Sequence, residues 1–170
     1  MAFGISANGQ ITINYSDYPQ IGDITVYDTT YNGGLTVGAS GANAIWDFSS
    51  LTGNYNTTRS YNNPSSSTYS SIFPSANMVM QEGSTETFLD VSSSKVEIIG
   101  MVMDLGLGVN TPIPFTNTLT SIYFPTNYND LFNDGYSFDV TIDGSSMSMD
   151  SINMNSSATT TSSIDAFGKL

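Results

Sequence analysis

The chain has 170 residues with no histidine and no cysteine, and its three basic residues face fifteen acidic ones, for a formal net charge of −12 and a pI near 4.1. Without imidazole or thiol, a Ser-His-Asp triad, a cysteine nucleophile and the usual zinc ligands are excluded. Scarcity of Lys and Arg also excludes the phosphate contacts on which nucleic-acid and anionic-membrane binding rest, leaving proteins, neutral glycans and divalent cations as partners.

Alternation of polar and apolar residues, the mark of strands, is the main periodic signal. Residues 10–15 alternate and end at the turn Asp17-Tyr18-Pro19, and residues 23–28 form a second strand closed by Asn32-Gly33-Gly34. A short strand at 35–37 runs into a flexible glycine-rich loop at 38–43, and Trp46-Asp47-Phe48 reads as a buried strand or anchor. The Ser-, Thr-, Asn- and Tyr-rich stretch 52–71 holds one weak strand at 57–61 and a loop around Asn63-Pro64. Residues 77–81, 86–91 and 95–103 read as consecutive antiparallel strands, with Ser92-Ser93-Ser94 as a hairpin loop. Thr111-Pro112-Ile113-Pro114 interrupts pairing and belongs to an edge or a connection.

Strands at 119–124 and 136–142 flank the turn-rich stretch 127–135, and Asp143-Gly144 is a hairpin signal. Met147 and Met149 share one phase while Ile152 and Met154 share the other, which predicts a bulge or short turn near Asp150-Ser151. A Thr-rich strand at 156–164 is the last. About ten short strands, with little or no helix, predict an all-β fold, an antiparallel β-sandwich forming a single domain over residues 1–170.

Apolar residues make up 39% of the chain and aromatic ones 12%, enough for a packed core rather than disorder. Only 11% are charged, so polarity comes from Ser, Thr, Asn, Gly and Tyr. No apolar run approaches the roughly 20 residues of a membrane-spanning helix, so no membrane insertion is expected. Met1-Ala2-Phe3-Gly4 opens no secretory signal, so the chain is expected to be either cytosolic or a trimmed piece of an exported protein; the Lys-poor, Asn-, Thr-, Ser- and Tyr-rich composition favours the second, and Gly168-Lys169-Leu170 reads as a cut end.

Three candidate sites follow from residue chemistry. Tyr55, Tyr61 and Tyr69, spread through a polar stretch, are the expected exposed set for stacking on a neutral glycan, against the plainer reading of rings packed at the sheet surface. Asn129, Asp130, Asn133 and Asp134 could offer oxygen ligands to calcium, although EF-hand spacing is not met and turn capping explains the same residues. Glu82, Glu86, Glu97 and Asp104 are the carboxylates on or beside strands that a glycoside hydrolase would draw on, but alternation reads them as solvent-facing. Thr159, Thr160 and Thr161 lack the fixed repeat of an ice-binding face, and the methionines read as core fillers.

Two stretches carry a resemblance: Ile11-Thr12-Ile13 with Asp17-Tyr18-Pro19-Gln20-Ile21-Gly22-Asp23, and Gly41-Ala42-Asn43-Ala44-Ile45-Trp46-Asp47-Phe48-Ser49-Ser50-Leu51. Tyr69 through Phe73-Pro74-Ser75-Ala76-Asn77 is a further echo. Their order resembles the N-terminal region of secreted Bacteroidetes proteins that end in a type IX secretion sorting domain. The resemblance implies export and a cell-surface or released location, and it brings no catalytic residues. Physically, Gly41, Asn43, Trp46, Asp47 and Phe48 read as a packing motif: a tight turn, then Trp46 and Phe48 on one strand face with Asp47 on the other. The expectation is a non-catalytic extracellular module for structure, adhesion or self-assembly, without a required cofactor; the alternative is a carbohydrate-binding module with a calcium ion. A self-assembling module should leave an open strand edge, and few lysines are present to guard one.

Overall fold

The computed structural model describes residues 12–29, 40–45, 53, 55–145 and 148–169. In chain order the strands are β1 (Thr12–Ile13), β2 (Ile24–Thr29), β3 (Gly41–Ile45), β4 (Tyr55–Asn62), β5 (Met78–Glu82), β6 (Thr85–Val91), β7 (Lys95–Asp104), β8 (Asn110–Tyr123), β9 (Thr126–Asn127), β10 (Leu131–Asp143), β11 (Ser151–Ser163) and β12 (Ala166–Lys169). Eight of them form one antiparallel sheet in the order β11-β10-β8-β7-β6-β5-β4-β2. Small two-stranded sheets, β1–β9 and the parallel pair β3–β12, accompany it. The fold is all-β and sandwich-like. The helical elements are short 3-10 turns, at Tyr15–Asp17, Pro64–Ser66 and Ser70–Ile72 among others, and no helix among the described residues is long and apolar enough to cross a membrane.

Alternation along the central strands buries side chains on both faces of the main sheet. On one face Tyr61, Met78, Leu89, Val96 and Phe124 cluster, and Ile13 and Tyr18 from the N-terminal segment pack onto them. On the other face Val79, Phe88, Ile99 and Val102 are covered by Phe73, Tyr69 and Ala76 from the connection between β4 and β5. Each cover is an irregular segment rather than a second large sheet. Phe73 stacks on Phe88 with ring centroids 4.1 Å apart. That stack needs a gap in the neighbouring strand, and Gly100 provides it.

Several sequence expectations move. Twelve strands are present among the described residues rather than about ten, and β8, β10 and β11 run for 14, 13 and 13 residues. Gly41 and Asn43, expected in a turn, lie in β3, because pairing with the distant β12 overrides the local preference of Gly and Asn for turns. Trp46, Asp47 and Phe48 lie outside the described residues. Pro112 and Pro114 sit inside β8, opposite Val102 and Gly100 of β7, rather than interrupting it. A proline is tolerated there because alternate residues of a strand bond to only one neighbour, so the missing N–H can face away from β7. The turn expected over 127–135 is confined to its first half, since Leu131 already pairs with Ser163. Of the two readings near Asp150-Ser151, a turn holds, with β11 starting at Ser151.

A Cβ built on Gly100 would lie 2.4 Å from Phe73 Cε1 and 2.6 Å from the Ile113 carbonyl oxygen. Gly100→Ala is therefore expected to lose about 1–3 kcal/mol by overpacking, and Phe73→Ala about 3–5 kcal/mol by leaving a cavity. Urea unfolding of the two variants and the double mutant measures both, and the double mutant should fall short of the sum because the first clash disappears with the ring.

Candidate functional site

The most distinctive surface is the outer edge of β11. Its sequence, Ser151 to Ser163, carries no charge, no proline and no glycine. It pairs with β10 over all 13 residues without a register shift. Gly135 helps it lie close, since a Cβ there would meet the Ala158 carbonyl at 2.6 Å. Side chains alternate as far as Thr161: Ile152, Met154, Ser156, Ala158 and Thr160 are half-buried, and the odd-numbered residues are exposed, with Ser162 exposed at the end.

Hydrogen bonds fix which backbone groups face outward. The Ile164 amide donates to the Asp130 carbonyl at 3.0 Å, one step beyond the Leu131–Ser163 pair. The Gly135 and Ser137 carbonyls accept instead from Asn117 and Thr116, on the β8 side. Hydrogen-bonded and non-bonded pairs alternate in an antiparallel ladder. Even-numbered residues of β11 thus bond to β10, and odd-numbered ones direct their N–H and C=O away from the sheet. Among the described residues nothing pairs with that edge.

The opposite edge, β2, is shorter and more apolar. Ile24 and Val26 are 66% and 60% exposed. Behind it lies the one arginine: Arg59 pairs with Glu82 and places its guanidinium 4.7 Å from the Tyr27 ring centroid. The Tyr27 phenol is held below its usual pKa, first by the Thr25 hydroxyl and also by Arg59. Tyr18, under the same region, is pushed up to about 12, mainly by burial.

The residues singled out from sequence are dispersed. Tyr55 is exposed on β4, but Tyr61 is 4% exposed and belongs to the core, and Tyr69 is half-buried on the opposite face of the sheet. The three do not form a strip. A row of near-parallel rings does exist, Phe115, Tyr136 and Phe138, which alternation alone could have suggested for residues 136 and 138. These rings stack on one another, so the faces turned toward each other are already in contact.

The acidic segment is a turn followed by a strand. Asn129 has a left-handed backbone, φ 70°, and the Asp130 carboxylate accepts from the Asn127 amide at 2.6 Å. Asn133 and Asp134 point to opposite faces of β10: Asn133 accepts from Thr161 at 2.7 Å, while Asp134 accepts from the Thr120 amide at 2.7 Å. The four therefore do not converge as one ligand set, and among the described residues no group of three or more acidic side chains is placed to hold a metal. The other carboxylates are also engaged. Glu82 pairs with Arg59, Glu86 accepts from Ser67, and Glu97 pairs with Lys95 at 2.9 Å. One Asp104 oxygen accepts the amides of Gly106, Leu107 and Gly108 at 2.8–2.9 Å and shapes the β7–β8 turn.

Comparison with protein families, with curated proteins and with solved structures returned no match.

Asp134 fastens β10 to β8, and hydrogen bonds from the Thr120 hydroxyl and from the Thr120 and Gly135 amides hold its carboxyl below the usual carboxylate range. A group depressed on folding stabilises above its unfolded pKa, about 3.9, and loses that contribution as pH falls through its folded value. Asp134→Asn should therefore lower the urea midpoint between pH 5 and 7, and its difference from the unmodified chain should shrink as pH falls below about 3.9.

Proposed function

We propose that this chain is a non-catalytic structural module that works outside the cell, on a bacterial surface, by associating through its sheet edges. The observation that carries the reading is the 13-residue β11 edge, uncharged and free of proline or bulge. Proteins that stay apart usually guard such edges with Lys, Pro, bulges or covering segments, because unpaired N–H and C=O groups template another strand. Two of the three basic residues are committed elsewhere, Arg59 to Glu82 and Lys95 to Glu97. The resemblance to secreted Bacteroidetes proteins with type IX sorting domains supports export, as does a polar surface built from hydroxyls and amides.

A second reading, neutral-glycan binding, is favoured by one feature. A groove of about 370 Å³ between the N-terminal segment and β5–β6 is lined by Tyr15, Gln20, Ile21, Asn77, Met78 and Val91, with an aromatic ring, two amides and no charge. Tyr15→Ala should abolish any monosaccharide heat measured by titration calorimetry, while unchanged binding would remove the groove from consideration.

Association is tested by light scattering over a hundredfold range of concentration, with and without calcium. Concentration-dependent dimers or larger species are expected. A monomer throughout would overturn the structural reading and leave the glycan reading in its place.

A further inference from the structure

We propose that the partner of the β11 edge is the β11 edge of a second copy, paired antiparallel about a two-fold axis at Ser157. The inference rests on the associative reading above and specifies its geometry.

Hydrogen bonding and side-chain direction set the same parity for any antiparallel pairing of this edge, and the longest overlap then sets the register. Only odd-numbered residues of β11 present N–H and C=O outward, so a partner strand must offer the same phase, odd against odd. The half-buried side chains of β11 are all even-numbered, and every odd-numbered one is exposed. A continued sheet keeps its apolar face on one side only if even pairs with even. Both conditions require paired residue numbers to sum to an even number. Full overlap of Ser151 with Ser163 of the second copy satisfies both, and it places Ser157 opposite itself. Two bonds at each odd-numbered pair then give roughly fourteen main-chain hydrogen bonds.

The alternative partner on the same molecule is β2, which would give an open-ended chain of copies. It is only six residues long, and Asp23 accepts the Tyr61 amide, so by alternation the residues facing outward are Ile24, Val26 and Asp28. That edge offers about three rungs against seven, and its sequence includes an acidic residue where β11 has none.

Charge points the same way. Each copy carries a formal −12, so association is tolerated where the contact itself holds no charge. β11 meets that condition. The flanking Asp150 and Asp165 lie at its two ends, and in the proposed register Asp150 of one copy lies one step from Asp165 of the other. Repulsion is thereby confined to the rims, where salt screens it. Association should strengthen, not weaken, as sodium chloride rises from 20 to 500 mM.

The chain has no cysteine, so single cysteines can be introduced and spin-labelled without background. Odd-numbered side chains project from the exposed face, where a label has room, and an unchanged melting temperature is to be checked for Asn153→Cys, Asn155→Cys and Thr161→Cys, which each give up a side-chain bond to β10. With a rise of about 3.4 Å per residue, backbone separations between copies should be about 14 Å at Asn155→Cys, 27 Å at Asn153→Cys and 41 Å at Ser151→Cys. The same values should recur at Thr159→Cys, Thr161→Cys and Ser163→Cys. This mirror symmetry about Ser157 is the signature of the two-fold register. Ser157→Pro removes an outward N–H without touching the β10 ladder, and Ser157→Lys leaves the backbone unchanged; each should weaken the dimer at least tenfold in sedimentation, with the melting temperature of the monomer retained.

An oligomer whose label distances lack that symmetry, or one indifferent to Ser157→Lys, would overturn this interface and leave the associative reading standing. A monomer at every concentration and salt would overturn both.

Discussion

The Phe73 ring lies against Phe88, over a point in β7 where Gly100 has no side chain, and that contact joins an irregular connection to the middle of the sheet. On the other face Ile13 and Tyr18 close over Tyr61, Met78, Leu89 and Val96 in the same way. A single sheet has two faces to cover, and this chain covers both with short segments rather than with a second sheet of equal size. Each fully buried side chain of this kind contributes about 1.5–3 kcal/mol. The covers reach only the central strands. Burial is therefore deep in β5, β6 and β7, and it thins toward β10, β11 and β2.

That gradient explains where polar chemistry went. Towards the rim, order comes from hydroxyl, amide and carboxylate hydrogen bonds in place of apolar packing. Asp134 ties β10 to β8, Asn133 and Thr161 join across β10 and β11, and Thr141 donates to Asn153. Carboxylates act mainly as acceptors for backbone amides, as at Asp104, Asp130 and Asp134, a use that needs no basic partner. A chain with three cations can thus seat many carboxylates in an ordered structure without basic partners. Repulsion among them falls on the surface, and β11 is a stretch of that surface with no charge of its own, where the proposed pairing of two copies would cost least.

The functional reading and the core are consequences of one design. If both faces of the sheet were covered to its rim, the outer strands would be shorter or shielded and the edge closed. Instead the β10–β11 hairpin extends as a 13-residue ribbon held by its ladder and by side-chain bonds. Such a ribbon gains from a further strand, because the added ladder satisfies backbone groups that otherwise depend on water.

Alternation alone located the strands at 23–28, 77–81, 86–91 and 95–103, and the serine hairpin between the last two, because these features are set by neighbours two to four residues apart. The absence of imidazole and thiol ruled out whole classes of chemistry, and the lack of Lys foretold an unguarded edge. Residue identity could not separate Tyr55 from Tyr61, which share a strand and a face. Tyr61 is buried because β5 pairs with only the second half of β4, bringing Met80 beside it, while Tyr55 extends past that cover. Nor could local preference show that Gly41 and Asn43 enter a strand, since β12 lies more than a hundred residues away in the chain. The sequence by itself determined the period of its strands and the chemistry it lacks. The tertiary structure alone decided which strand is left at the edge and which backbone groups face outward, because both depend on pairings between segments that no local pattern encodes.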